Sequence, residues 1–139
     1  MIGGYIMQVV VFRLGDEQFA VETSKVQSIN DIMEVTRVPK SPDYIKGLIN
    51  LRGNVISLLD INLLLDVKKS EQDQENMIIL EMDDELVGIT VDQVDEVLDV
   101  EEGMLEKIED VKRNKYVKGV INFKDRIVTL IDIDKLIAS

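Results

Sequence analysis

The chain of 139 residues has the length of one ordinary domain, and its composition, 45% apolar and 31% charged, is that of a soluble globular protein. It has no cysteine and no histidine, which excludes disulfides, thiol chemistry, and the commonest metal ligand and general base. No run approaches the ~20 apolar residues of a membrane span, and the N-terminus lacks the pattern of a signal peptide, so we expect a cytoplasmic protein without direct membrane insertion.

The N-terminal region predicts a β-hairpin. Residues 6–14 are rich in β-branched side chains, Gly15 and Asp16 favour a turn, and alternation of apolar and polar residues resumes over residues 17–22. The second half repeats this pattern in residues 77–82, Asp83-Asp84 and residues 85–91. The hairpin is therefore duplicated.

Residues 23–29 follow the first hairpin, and their spacing predicts a short helix. Val26 and Ile29 are three residues apart, which fits one or two helical turns capped by Thr23 or Ser24. Two prolines then interrupt the chain before the next element.

A 22-residue segment occurs twice, at residues 44–65 and, 72 residues later, at residues 116–137. Aligned without a gap, the two copies are identical at nine positions, and most other pairs are conservative. Gly47 and Gly119 recur at one position, which indicates a bend or a close backbone approach imposed by the fold. The chain is a duplication, and the differences between its copies should locate the function.

Each copy predicts a hairpin followed by a short helix. The turns fall at Gly53-Asn54 in the first copy and at residues 124–126 in the second. Asp60 and Asp132 immediately precede the apolar helical segments, where an N-cap contributes about 1 kcal/mol. We expect both aspartates to be structural.

Residues 68–76 contain no large apolar side chain and predict a linker between two halves, residues 1–70 and 71–139. Many short strands with regular turns are typical of small barrels, whose closure removes exposed sheet edges. Halves of this size are near the lower limit for independent folding, so we expect each to cover the core of the other. Two barrels side by side would leave a groove between them.

Most of the net charge of −11 comes from residues 81–110, which hold 13 acidic residues and one basic residue, Lys107. Such a surface repels phosphate groups, which argues against nucleic acid and anionic membranes as partners. The simplest interpretation of the acidic segment is a solvated face that keeps the protein soluble.

Catalytic chemistry has little support in the sequence. Ser/His/Asp and Cys/His sets cannot exist, and no glycine-rich phosphate loop is present. Asp83-Asp84 lies in a turn where the carboxylates should be solvated, and no acidic stretch has the ligand order of an EF-hand. The pattern predicts a protein that is not an enzyme and needs neither a cofactor nor a metal.

The remaining signal is Asn-Leu-Arg-Gly at residues 50–53, which follows Gly47 and precedes an apolar strand ending at Asp60. Here the sequence resembles CheW, the coupling-protein family of bacterial chemotaxis. The likeness covers nearly the whole chain and is carried by residues 12–29, 37–53 and 86–98. Ser57 stands where the family usually has proline, and Ser28 where glutamate is common.

The resemblance implies a mainly β, CheW-like fold, with two intertwined five-stranded SH3-like barrels and short helices in a single domain over residues 1–139. It also implies a non-enzymatic adaptor that couples chemoreceptors to the histidine kinase CheA. The partners would be the CheA regulatory domain and the cytoplasmic tip of methyl-accepting chemoreceptors, which would bring the protein to membrane receptor arrays. CheV and CheA contain the same module, but a chain this short has no room for their receiver or kinase domains, so we expect a stand-alone module.

Two sets of site residues follow from the resemblance. The kinase-binding candidates are Gly47, Asn50, Arg52 and Gly53. The candidates for a groove that receives a receptor helix are Val26, Ile29, Val87, Val97 and Leu98.

Structural roles and a different class of protein remain as alternatives. Arg52 could be an exposed hairpin arginine that pairs weakly with a carboxylate, and the apolar candidates could be ordinary core. The different class is a small-barrel ligand- or oligonucleotide-binding module. Oligonucleotide binding predicts basic strands with exposed aromatic residues, whereas the chain has only three Phe and three Tyr, and a gel shift at low salt would test it.

Overall fold

The computed structural model describes residues 4–107 and 115–138, which form a mainly β structure with short helical segments. The strands are β1 (Tyr5–Leu14), β2 (Glu17–Glu22), β3 (Val26–Asp31), β4 (Ile45–Leu51), β5 (Asn54–Leu59), β6 (Asn76–Met82), β7 (Glu85–Val91), β8 (Gln93–Glu101), β9 (Leu105–Lys107), β10 (Val117–Asn122) and β11 (Ile127–Ile131). The helical segments are a 3₁₀ turn at Thr23–Lys25, α1 (Ile61–Leu65) and α2 (Ile133–Ala138).

Two sheets form, and each takes strands from both halves of the sequence. One sheet has the order β8-β1-β2-β11-β10-β9, and the other has the order β3-β6-β7-β5-β4. The hairpin β1–β2 therefore joins the strands of the second half, and the hairpin β6–β7 lies between β3 and β5 of the first half. Short parallel pairings, β2 with β11 and β5 with β7, attach the two exchanged hairpins.

This exchange makes the two strand units intertwined, and the predicted mainly β fold class is confirmed. The first sheet differs from the expected five strands because the three-residue strand β9 adds to its edge.

The central core lies between the two sheets and is the largest of three apolar clusters. Phe12 and Phe19 come from the six-stranded sheet, with ring centroids 6.1 Å apart, and Ile78 and Ile89 come from the five-stranded sheet. Each fully buried side chain of this size contributes about 1.5–3 kcal/mol. Both halves of the sequence therefore supply the central core.

Each sheet also has a smaller core on its other face. The six-strand core consists of Val9, Val11, Ala20, Val100, Ile121, Val128 and Leu130, and the five-strand core consists of Ile49, Ile56, Leu58, Met77 and Ile79.

The helix predicted over residues 23–29 is wrong beyond its first turn. Thr23–Lys25 forms a 3₁₀ turn without a side-chain cap, and Val26–Asp31 is a strand that pairs with β6. Pairing with a buried strand outweighs a local spacing that would suit a helix, because strand formation depends strongly on tertiary contacts.

A β-bulge explains the misleading spacing. The register between β3 and β6 shifts between Val26 and Ser28, so the strand gains one residue there. Val26 and Ile29 consequently pair with Leu80 and Ile78, two residues that lie on one face of β6. Residues three apart thus share a face of a strand.

The helix caps predicted in the two repeat copies are confirmed. Asp60 Oδ1 accepts a hydrogen bond from the Leu63 N–H at 3.2 Å, and Asp132 Oδ1 accepts one from the Lys135 N–H at 3.3 Å. Each carboxylate satisfies a backbone donor that the helix cannot satisfy itself.

Gly47 and Gly119 recur because another backbone segment lies against each of them. A Cβ atom on Gly47 would clash with the Thr36 carbonyl oxygen, and one on Gly119 would lie 2.6 Å from the Glu106 oxygen. Thr36 bridges to Leu48 through hydrogen bonds of 2.8 Å in both directions. The predicted close approach is confirmed. It allows the segment at Thr36 to lie beside β4 and strand β9 to lie beside β10.

Candidate functional site

The β4–β5 hairpin ends in a tight turn at Arg52 and Gly53. Their φ angles are 53° and 85°, the pair of positive values found in a type I′ turn, and Leu51 pairs with Asn54 across it. The Gly53 N–H donates to Asn50 Oδ1 at 3.1 Å. Asn50 therefore shapes the turn, a role that the sequence analysis did not assign to it.

Arg52 is exposed and forms no ion pair with any residue of the described ranges. The weak surface pairing considered for Arg52 is therefore not found there. In the second repeat, Arg126 lies next to the corresponding turn and binds Glu96 at 2.7 Å, and this hydrogen bond raises the pKa of Arg126. The guanidinium of Arg52 thus keeps its planar donor fork available for another molecule.

Val55 is an exposed apolar residue of the same hairpin, and it was not identified from the sequence. It lies opposite Asn50 in the hairpin, and 66% of it is exposed. Its counterpart in the second repeat, Ile127, is 64% exposed. A strand residue at an alternating position gives no sequence signal that distinguishes exposed from buried, so only the structure locates Val55 beside Arg52. We call Asn50, Arg52, Gly53 and Val55 the hairpin-tip surface.

Gly47, the fourth kinase-binding candidate, does not reach the hairpin-tip surface. It is buried under the segment that contains Val35 and Thr36, and a Cβ there would lie 2.7 Å from Val35 Cγ1. The contact explains the glycine without any partner molecule.

Three receptor-binding candidates lie together on the five-stranded sheet. Val26 and Val87 pair with Leu80 from its two sides, and both are partly buried against the central core. Ile29 pairs with Ile78 and is 41% exposed. These side chains lie along the border of the central core, between the two sheets.

The remaining two candidates lie on β8 and face opposite sides of the six-stranded sheet. Val97 pairs with Val10 of the central core and is half exposed, whereas Leu98 pairs with Val9 and packs against the six-strand core. Consecutive strand residues alternate between faces. The register places Val97, but not Leu98, on the face of the six-stranded sheet that carries Val10 of the central core. We call Val26, Ile29, Val87 and Val97 the sheet-border surface.

A polar network around Lys46 was missed by the sequence analysis. Lys46 Nζ donates to Gln74 Oε1 at 2.9 Å and to Thr90 Oγ1 at 2.7 Å, and the Thr90 hydroxyl donates to Gln74 Oε1 at 2.6 Å. Burial lowers the pKa of Lys46, while the carboxylates of Asp60 and Asp92 partly oppose this effect. The network attaches the predicted linker to β4 and β7. The one available signal was the lysine shared by both repeats.

The acidic segment is partly paired rather than wholly solvated. Arg13 binds Asp95 at 2.9 Å, and Arg126 binds Glu96. Residues 108–110, the end of the acidic segment, lie outside the described residues. Over the ranges that the structure describes, no helix has the length and apolar character needed to cross a membrane.

Comparison with known proteins places this architecture in one family. The family model of the CheW-like domain matches residues 8–139. The chain belongs to the CheW family. The CheW chemotaxis protein of Klebsiella aerogenes is 31% identical over 134 residues, which cover 94% of this chain and 81% of that protein. The CheW protein of Thermotoga maritima is 30% identical over 132 residues, with 94% of this chain and 87% of that protein covered.

The fold comparison agrees with the sequence comparison. The crystal structure of the scaffolding protein TtCheW from Thermoanaerobacter tengcongensis superposes with a TM-score of 0.83 at 27% identity, covering 90% of this chain and 88% of that one. CheW proteins are scaffolds or adaptors rather than enzymes. The CheW-like fold predicted from the sequence is confirmed by these matches.

Proposed function

We propose that this CheW-family chain is a cytoplasmic adaptor that couples chemoreceptors to the histidine kinase CheA. The observation that carries this proposal is the presence of two separate surfaces with exposed side chains on one fold. The hairpin-tip surface is on β4 and β5, and the sheet-border surface begins on β3, at the opposite edge of the same sheet. An adaptor needs two such surfaces if it is to hold two partners at once.

The hairpin-tip surface is the proposed contact for the CheA regulatory domain. Arg52 offers an unpaired guanidinium in a backbone conformation that non-glycine residues adopt at a cost of about 1–2 kcal/mol. Val55 adds an exposed aliphatic side chain beside it. Arginine is enriched in protein interfaces because its planar fork donates several hydrogen bonds in a fixed direction.

The sheet-border surface is the proposed contact for the cytoplasmic tip of a methyl-accepting chemoreceptor. Ile29 is 41% exposed and Val97 is 50% exposed, and Val26 and Val87 are partly buried against the central core. An amphipathic helix can place its apolar face against exposed apolar side chains of this kind. Leu98 is excluded from this surface because it faces the six-strand core.

Two modest contacts on one scaffold also raise the overall affinity of an assembly. Once one partner is bound, the second binds at a high effective concentration, which can increase avidity 10²- to 10⁴-fold without new contacts. In this proposal the chain is held at membrane receptor arrays by its two partners.

A titration of the unmodified chain with each partner tests the proposal. The CheA regulatory domain and a soluble receptor-tip fragment should each bind, and saturation with one partner should leave a site for the other. Competition between the two partners for one site would contradict an adaptor role. A gel shift with single-stranded oligonucleotides at low salt should show no complex, since a complex would favour the oligonucleotide-binding alternative.

A further inference from the structure

Lys46 and Lys118 occupy one position in the two repeat copies, but their ammonium groups have different partners. Both lie at register shifts of their hairpins. Lys118 Nζ pairs with Glu22 Oε1 at 3.3 Å. Lys46 Nζ contacts two neutral side-chain oxygens, those of Gln74 and Thr90, and no carboxylate of the described residues lies within 4.0 Å of it.

The two nearby carboxylates are already occupied. Asp60 accepts from the Leu63 N–H through Oδ1 and binds Lys69 through Oδ2 at 2.9 Å. Asp92 accepts from the Gly15 N–H at 2.8 Å through Oδ2 and from the Gln74 amide through Oδ1. An ammonium group has three N–H donors, so Lys46 keeps one donor and an unpaired positive charge. A partly buried charge without a counter-ion is unfavourable, and binding an anion would relieve it.

Lys46 also lies where two open clefts meet. The clefts have volumes of 490 Å³ and 640 Å³, and both are lined by Val35, Lys46 and Lys69. These volumes are in the range of small-molecule sites, about 300–1,000 Å³. The larger cleft has an apolar wall formed by the exposed Ile32 and the half-buried Val35, with the fully buried Leu58 and Met77 behind them.

We propose that Lys46 is the recognition group of a binding site for a small aliphatic carboxylate. The carboxylate accepts a hydrogen bond from the unused N–H of Lys46, with the ammonium of Lys69 as a second positive charge nearby. The hydrocarbon chain lies against the apolar wall of the larger cleft. This site is distinct from the hairpin-tip and sheet-border surfaces and does not depend on the proposed adaptor function.

An NMR titration with hexanoate tests the site, with hexanamide as its neutral counterpart. The ¹⁵N-labelled full chain should show saturable shifts of the amides that line the clefts when hexanoate is added at constant ionic strength. Hexanamide should bind at least tenfold more weakly, which corresponds to about 1.4 kcal/mol. Lys46→Met should weaken hexanoate binding to the same extent, whereas the matched variant Lys118→Met should leave it unchanged.

The pH dependence gives an independent readout in the unaltered chain. Hexanoate binding should be lost as the pH rises through the pKa of Lys46, because the neutral amine no longer attracts the carboxylate. The charged groups that face Lys46 or line its clefts are Arg37, Asp43, Asp60, Lys69, Asp73, Glu71 and Asp92.

Three results would overturn the site: equal affinities for hexanoate and hexanamide, no saturable shift by about 50 mM hexanoate, or equal losses in Lys46→Met and Lys118→Met. If Lys46→Met is unfolded by circular dichroism, the comparison of hexanoate with hexanamide and the pH profile decide the question in the unaltered chain.

Discussion

Arg52 and Lys124 occupy equivalent turn positions in the two repeat hairpins, and both have a left-handed backbone, with φ angles of 53° and 73°. Each turn is held by the asparagine that precedes it, since Asn50 Oδ1 accepts from the Gly53 N–H and Asn122 Oδ1 accepts from the Lys124 N–H. The rest of the two turns differs, because Gly53 also has a positive φ of 85° whereas Asp125 does not, and two residues join β4 to β5 whereas four join β10 to β11. The two tips also differ in side-chain chemistry. Arg52 presents a planar donor fork, whereas Lys124 presents a point charge.

Arg52→Glu should weaken binding of the CheA regulatory domain more than tenfold, about 1.4 kcal/mol, because it replaces an unpaired donor fork with a carboxylate. Binding of the receptor tip should not change, since separated sites behave additively. Isothermal titration with each partner measures both effects. Lys124→Glu is the matched control at the other tip and should retain kinase binding. Equal losses in both variants would show that the effect is one of net charge.

Val97→Asp should abolish receptor-tip binding and preserve kinase binding. Val97 is 50% exposed, so the free chain tolerates the carboxylate in solvent, whereas a docked apolar helix would bury it without a partner. Val55→Asp is the control for receptor-tip binding, because it adds the same charge at an exposed valine of the hairpin-tip surface. Receptor-tip binding should be unchanged in this variant. Circular dichroism should first show that both variants are folded. If Val97→Asp bound the receptor tip normally, β8 would not belong to the receptor contact.

Separated fragments, 1–70 and 71–139, should both fail to fold. The first fragment contains β3, which pairs only with β6 among the described strands, and it contains β1 and β2 without β8 and β11. Each fragment would also expose its share of the central core. Thermal unfolding of each purified fragment checks this expectation. A cooperative transition in either one alone would contradict the intertwined arrangement.

Asp132→Ala should lower the free energy of unfolding by about 1 kcal/mol through loss of a helix cap. Asp60→Ala should lower it by at least as much, because Asp60 is buried and also binds Lys69 at 2.9 Å. Urea unfolding gives both values, and kinase binding should be intact in both variants. A large loss of kinase affinity in folded Asp60→Ala would show that Asp60 is a contact residue.

The free energy of unfolding of the unaltered chain, measured relative to that of Lys46→Met, should increase as the pH rises. Burial lowers the pKa of Lys46 below its ordinary value of 10.5, so between the folded and the ordinary value the unfolded chain binds more protons. The free energy of unfolding of the unaltered chain therefore rises with pH in that window. The increase due to Lys46 is complete above pH 10.5, where the lysine is neutral in the folded and the unfolded chain. Urea unfolding of both chains from about pH 7 to about pH 10 measures the difference. A constant difference would mean that the pKa of Lys46 is not lowered by folding.

The sequence by itself determined the elements whose signals are local. Alternation and turn residues located the duplicated hairpins, and aspartate before an apolar run located the caps at Asp60 and Asp132, because a cap or a turn is formed by residues only a few positions apart. The repeated Gly47 and Gly119 correctly indicated a close backbone approach, since only glycine lacks the Cβ that would clash.

Only the tertiary structure decided what depends on residues far apart in the chain. Pairing with β6 made Val26–Asp31 a strand, and a bulge gave Val26 and Ile29 a common face. Because consecutive strand residues face opposite sides of a sheet, Leu98 packs against the six-strand core while Val97 is half exposed. Val55 is exposed near the hairpin tip that carries Arg52. The partners of Lys46 and Lys118 also come from other elements, so one lysine is neutralised and the other is not. Burial and charge pairing depend on contacts between residues far apart in the chain, and local sequence patterns do not predict those contacts.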